Sequence, residues 1–178
     1  PANDYELAQR LALFIWSSIP DEELLNAAKR GDLRDDENLE RQVRRMLLDR
    51  KLKRFCDSFP SQWLQLERIV SSLPDETIYR DFYYAPPNYR TSMDMMMEPL
   101  LLFETVLIEN RSILEFIDSD YTFLNPALAR HYGLPVPPED TFRKVHLPTH
   151  SHRGGLLGQA SILTATSNGV ESQPVVRG

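Results

Sequence analysis

The sequence predicts an all-α protein: an irregular bundle of about six to eight helices, followed by a Pro/Gly-rich C-terminal extension. Three observations carry this reading. Apolar residues recur at intervals of three or four from Leu7 to Ile108, the spacing of a helix face. Residues that open helices (Asp, Ser, Asn) and residues that close them (Gly, Pro) stand at the ends of these stripes. After Leu134 prolines and glycines displace the periodic pattern.

Asp4 is the expected N-cap of a first helix that runs to about Trp16, with Leu7, Leu11, Phe14, Ile15 and Ser18 at helical spacing and Pro20 stopping it soon after. Pro20-Asp21-Glu22-Glu23 opens a second helix, its acids matching the helix dipole, and Gly31 closes it. Asp35 or Asp36 opens a third, with Leu39, Val43, Met46 and Leu47 on one face. A fourth follows Asp49. Its stripe of Leu52, Phe55, Phe59, Trp63 and Leu66 passes through Pro60, which costs the helix a hydrogen bond and predicts a kink or break.

Ser71 to Asn88 is rich in Pro, Asp and Tyr and reads as a long connection, with a short helix at Asp75 to Arg80. The longest helical signal runs from about Asn88 to Glu109 and holds Met93, Met96, Met97, Leu100, Leu101, Phe103, Leu107 and Ile108. Pro99 inside it predicts a kink or a late start. Ser112 caps a turn of helix through Ile117, and Asn125-Pro126 opens another that ends at Gly133. Between Leu134 and Pro148 only Thr141 to Leu147 suits a strand. From Gly154 to Val176 a glycine-rich turn leads into an apolar segment, Leu156 to Leu163, and then a polar run.

At 178 residues the chain is long enough for one domain with a core, or a domain plus an appendage. A hydrophobic share of 42% and a charged share of 26% are those of an ordinary globular chain. The net charge of −6 gives no overall steering towards nucleic acid or an anionic membrane. Apolar runs such as Leu11 to Trp16 and Pro99 to Phe103 fall far short of the roughly 20 residues that span a bilayer. One cysteine, Cys56, excludes an internal disulfide, a Cys-x-x-Cys site and covalent c-type haem attachment within these residues. With no initiator Met and no closing element, the chain reads as a piece of a longer protein.

The patterns that suggest chemistry each have a plainer explanation. His146, His150 and His152 have the residue type for a metal, but Pro148 interrupts them, and a solvated loop explains the same residues; no metal site is expected. Gly154-Gly155-Leu-Leu-Gly158 lacks the Lys-Ser/Thr that a phosphate loop needs and reads instead as a tight turn entering a packed helix. Residues 41–54 carry seven basic side chains in fourteen, a pattern that would suit nucleic acid or an acidic partner. A solvated helix face paired with local acids is the preferred reading, and nucleic-acid binding is not expected. The methionines around Met95 read as core filling, and Cys56 as a buried small side chain. Ser167-Asn168-Gly169 lacks a matched base and marks a turn. No catalytic constellation is recognised, so catalytic residues are expected to be none.

The segments Asp120-Tyr-Thr-Phe-Leu-Asn125 and Leu128-Ala-Arg-His-Tyr-Gly133, with Leu33-Arg-Asp, Arg44-Arg-Met46, Gln62-Trp-Leu64 and Phe103-Glu-Thr-Val-Leu107, resemble a bacterial domain of unknown function, DUF1592. The string from Arg153 to Gly169, together with Pro174-Val-Val-Arg-Gly178, resembles the opening of DUF1588, which normally follows it. Gly169-Val-Glu-Ser-Gln173 departs from the expected Gly-Thr-Arg-Thr-Ser, which removes an Arg and with it support for an anion-binding loop. The resemblance implies a helical domain over residues 1–138 and a truncated start of the next over 139–178. It implies a parent of the large, exported, cytochrome-c-like type found in planctomycetes, located in the periplasm or outside the cell. Haem c would then lie elsewhere in that parent, with no cofactor in this segment, and the partners would be other domains of the same polypeptide, a haem-bearing one among them.

The leading expectation is therefore a structural or interaction module without a catalytic site of its own. The alternative is a contribution to a redox or polysaccharide-processing site completed by other domains. On that alternative the binding candidates Asp120, Asn125, Arg153, Ser167 and Asn168 would share one cleft.

Overall fold

The computed structural model describes residues 3–71, 74–78, 80, 91–149, 151, 153–168, 170, 171 and 173–177. The chain divides into two compact units, Pro1–Phe59 and Pro60–Gly178.

In the first unit, α1 (Asp4–Trp16) is capped by Asn3, whose Oδ1 accepts the Glu6 N–H at 2.8 Å. Asp4, the expected cap, is instead buried and accepts from Leu33 N and from Arg34 Nε, at 3.1 and 2.8 Å. The helix ends at Ser17 in the left-handed conformation, before Pro20 is reached. Ala8, Ala12, Ile15 and Trp16 form its buried face, while Phe14 is exposed. The small alanines form a flat stripe on which α2 (Glu22–Arg30) can approach closely, and α1 and α2 do pack together. Asp21 caps α2 and Gly31, at φ +78°, closes it. Asp35 caps α3 (Asp36–Leu47), which buries Met46. The Trp16 indole N–H donates to Met46 O at 3.0 Å, so α1 and α3 are tied by a buried hydrogen bond.

The helix α4 (Lys53–Trp63) passes through Pro60, and the boundary between the units falls at this residue. The helix persists for three residues beyond the proline, with Leu64 N donating to Pro60 O at 2.9 Å. It then gives way to a turn in which Gln65 takes φ +51°.

The second unit is organised around α6 (Thr91–Ile108), preceded by the short α5 (Arg68–Ser71). Side chains are buried on several sides of α6, from Met95 and Glu98 to Leu102 and Val106, as expected of a helix that neighbours surround. Pro99 is inside the helix and buried, and the helix runs on to Ile108. Met95 is buried and Met93 exposed, which agrees with methionines on more than one helix face. Ser112 opens a single turn at Ile113–Phe116, and Asn125 caps α7 (Pro126–Tyr132), which Gly133 ends at φ +65°.

The expected all-α class needs one amendment: the chain is mostly helical, but β1 (Tyr121–Leu124) pairs antiparallel with β2 (Arg143–His146), with Tyr121 opposite His146 and Leu124 opposite Arg143. The Thr141 to Leu147 segment was legible as a strand; its partner was not, because four residues carry too little period. The second compact unit runs across residue 138, from Pro60 to Gly178. Beyond β2, a turn at Leu156–Gly158 leads into α8 (Ala160–Ala165), and α9 (Pro174–Arg177) follows. Leu156 and Ile162 share a cluster with Leu66, Leu102 and Tyr121, and Ala160 shares another with Met95, Leu124 and Leu128.

Candidate functional site

A carboxyl group sits at the centre of the second unit. Glu98, in the middle of α6, is 1% exposed. Thr122 of β1 donates to its Oε1, and the Tyr132 hydroxyl, at the end of α7, donates to its Oε2 at 2.5 Å. The same hydroxyl accepts the Ala160 N–H, the first of α8, at 2.8 Å. Arg153 lies with its guanidinium carbon 4.0 Å from the centre of the Tyr132 ring, and its Nη1 donates to Gly158 O at 3.1 Å. Burial pushes the Glu98 carboxyl up to about 7, although the bonds from Thr122 and Tyr132 and the Arg153 charge pull the other way. Burial and the adjacent Glu98 push the Tyr132 hydroxyl far up.

This cluster leaves little free space. The cavity among Glu98, Tyr132, Arg153, Gln159 and the glycines of 154–158 measures about 10 Å³, room for on the order of one water molecule. Gln159 Oε1 is buried beside it without a hydrogen-bond partner among the described residues. The glycine turn seals one side: Gly155, at φ +60°, would place a Cβ 2.4 Å from Ile117 O, and its N–H donates to Ser119 Oγ at 3.1 Å. The turn is thus a packing device, as the missing Lys-Ser/Thr predicted.

A larger, more open feature of the second unit lies on its surface. A groove of about 460 Å³ is lined by Trp63, Leu64, Gln65 and Arg68 on one side and by Phe116, Ile117, Leu156, Leu157, Ile162 and Val176 on the others. Leu156 and Ile162 form a buried floor; Trp63, Ile117 and Leu157 are each more than half exposed. Trp63 meets Phe116 edge-on, with ring centroids 5.9 Å apart, and Phe116 stacks on Phe103 at 5.8 Å. Gln65, which also lines the groove, has a left-handed backbone at φ +51°, a conformation that costs a side-chain-bearing residue about 1 kcal/mol or more. Contiguous exposed apolar surface of this kind marks an interaction site more often than it marks waste.

The family described as PSD4, protein of unknown function (DUF1592), matches residues 2–134. The chain belongs to this family. No curated protein and no solved structure matches the chain significantly. The DUF1592 match spans α1 to α7 and therefore contributes Glu98, Thr122 and Tyr132, whereas Arg153 and the glycine turn lie beyond it.

Of the five candidates, Arg153 alone lines the Glu98 cavity. Asp120 is exposed and faces His146, 3.7 Å away. Asn125 is buried, accepts the Leu128 N–H at 2.8 Å and hydrogen-bonds Asp94. Burial holds the Asp94 carboxyl above the usual range, with Asn125 opposing and the Asp140 charge reinforcing. Ser167 Oγ donates to Thr164 O, and Asn168 Oδ1 accepts from Val170 N and Glu171 N, which builds the turn after α8. Neither this cavity nor the surface groove is lined by more than one of the five. Glu98 and Tyr132 were missed; the signal for Glu98 was a single acid inside the apolar run Met95 to Phe103 of a helix with apolar residues on every side.

The basic segment 41–54 is partly paired with acids, as expected. Arg44 meets Glu40 at 2.6 Å, Arg45 meets Asp21 at 2.7 Å, and Lys53 meets Asp57 at 2.5 Å. His150 and His152 lie outside the described residues, among which no cluster of three or more His, Cys, Asp or Glu could hold a metal. No helix among the described residues is long and apolar enough to cross a membrane.

Proposed function

We propose that this DUF1592 chain is an interaction module that docks another segment of protein in the groove between Trp63 and Leu157, rather than a catalytic unit. One observation carries the reading: the groove of about 460 Å³ is apolar and lies at the surface, while the buried Glu98 carboxyl borders a space for on the order of one water. The resemblance to DUF1588 beyond the matched family supports a multidomain parent, and we place the module in an exported cytochrome-c-like protein of the periplasm or cell exterior. There the docked segment would come from a neighbouring, haem-bearing domain of the same polypeptide.

Two measurements on protein from its native source test this. Intact mass together with a visible spectrum checks the parent: a mass several-fold above 20.6 kDa with a Soret band supports it, and a mass near that value without visible absorption removes it. Hydrogen exchange checks the docking. Amides at Leu64, Ile117 and Leu157 are expected to be slower in the native protein than in the isolated chain, and equal rates would remove the docking reading.

A further inference from the structure

The groove's chemistry narrows its partner, if the docking reading holds. Helices and turns form its walls, so it offers no unpaired strand edge for an extended peptide to extend. A partner that brings its own backbone hydrogen bonds satisfied, namely a helix, meets no such penalty. Its side chains must be largely apolar to replace water over Trp63, Ile117, Leu157 and the buried floor.

Charge selects further. Arg68 is the single charged side chain among the described residues lining the groove, and no carboxylate lines it. The hydrogen bond of its guanidinium is a long one to the neutral Gln65 Oε1, at 3.4 Å. Arg68 forms none of the ion pairs seen among the described residues, whereas Arg44, Arg45 and Arg111 each hold a carboxylate within 2.7 Å. A cation beside an apolar trough, with a neutral partner among the described residues, matches a carboxylate placed next to an apolar face.

We propose that the groove binds an amphipathic helix whose apolar face fills the trough and whose acidic residue pairs with Arg68. The pair orients the helix, and the apolar face supplies the affinity.

The test uses the full chain and two fluorescein-labelled synthetic helices of about fourteen residues, roughly 21 Å long. They share a Leu face and carry either Glu or Lys beside it, and binding is read by anisotropy. The Glu helix is expected to bind saturably and roughly tenfold more tightly than the Lys helix. Arg68→Glu should reverse the order, and Leu157→Asp should remove both. Circular dichroism of both variants must match that of the parent chain, which is expected because both side chains are exposed. Equal affinities, unchanged by Arg68→Glu but lost with Leu157→Asp, would overturn the acidic partner and leave docking intact. Binding of neither helix would overturn both. Sedimentation that shows self-association abolished by Leu157→Asp would make a second copy of the chain the occupant and overturn the proposal.

Discussion

Replacing Glu98 by Gln should remove a specific piece of the pH dependence of stability. In the fold this carboxyl takes up its proton at about 7, against an ordinary value of 4.5, because burial penalises the charged form more than Thr122, Tyr132 and Arg153 relieve it. Between those two values the folded protein holds a proton that the unfolded chain releases. The contribution of Glu98 is thus fully present below 4.5, falls as pH rises through the window, and is gone above about 7. The gap corresponds to about 3 kcal/mol, at about 1.4 kcal/mol per pH unit; the group is 1% exposed, so solvent screening takes little from it. Glutamine keeps the shape and carries no titrating proton. At acid pH the variant should be less stable by about 1 kcal/mol, because its amide cannot reproduce both hydrogen bonds. By pH 8 it should have gained about 3 kcal/mol relative to the parent chain and become the more stable of the two. Urea denaturation of both proteins from pH 4 to pH 8.5 reads the difference directly. Parallel stability curves would show that Glu98 is not protonated in the fold and would refute the reasoning.

Other perturbations follow from the same geometry. Tyr132→Phe removes the hydroxyl shared by Glu98 and Ala160 N–H; a loss of about 2 kcal/mol is expected, and the pH window of Glu98 should move upward because one bond that lowers its value is gone. Gly155→Ala combines φ +60° with a Cβ 2.4 Å from a backbone oxygen, so the second unit should lose about 3 kcal/mol or more, visible as a lower urea midpoint or insoluble protein. Asn125→Ala uncaps α7 and strips Asp94 of a hydrogen bond, at a cost of about 1–2 kcal/mol in the same assay.

How much of this could be read in advance depended on distance along the chain. The caps Asp21, Asp35, Ser112 and Asn125 and the closing glycines Gly31 and Gly133 act on backbone within a few residues, so their chemistry is legible locally. The same holds for the Arg44–Glu40 and Lys53–Asp57 ion pairs of the basic segment, which are at i,i+4, but not for Arg45, which reaches back to Asp21. Of the residues at helical spacing in α1, Ile15 is buried and Phe14 is exposed, because close helix packing fills the buried face with Ala8 and Ala12 beside Ile15 and Trp16.

Local sequence, then, determined the mostly helical class, most helix ends and the family, since each of these depends on short-range chemistry or on residue strings. Tertiary structure alone decided that β1 and β2 would pair across some twenty residues, that Glu98 would be surrounded by side chains from β1, α7 and the 153–158 turn, and that residues from α4, α5, the turns at 113–116 and 156–158, α8 and α9 would line one groove. A desolvated carboxyl and a shared cavity are properties of groups brought together by the whole chain. No spacing within a single segment encodes them, because the energies that create them arise only when distant segments exclude water from one another.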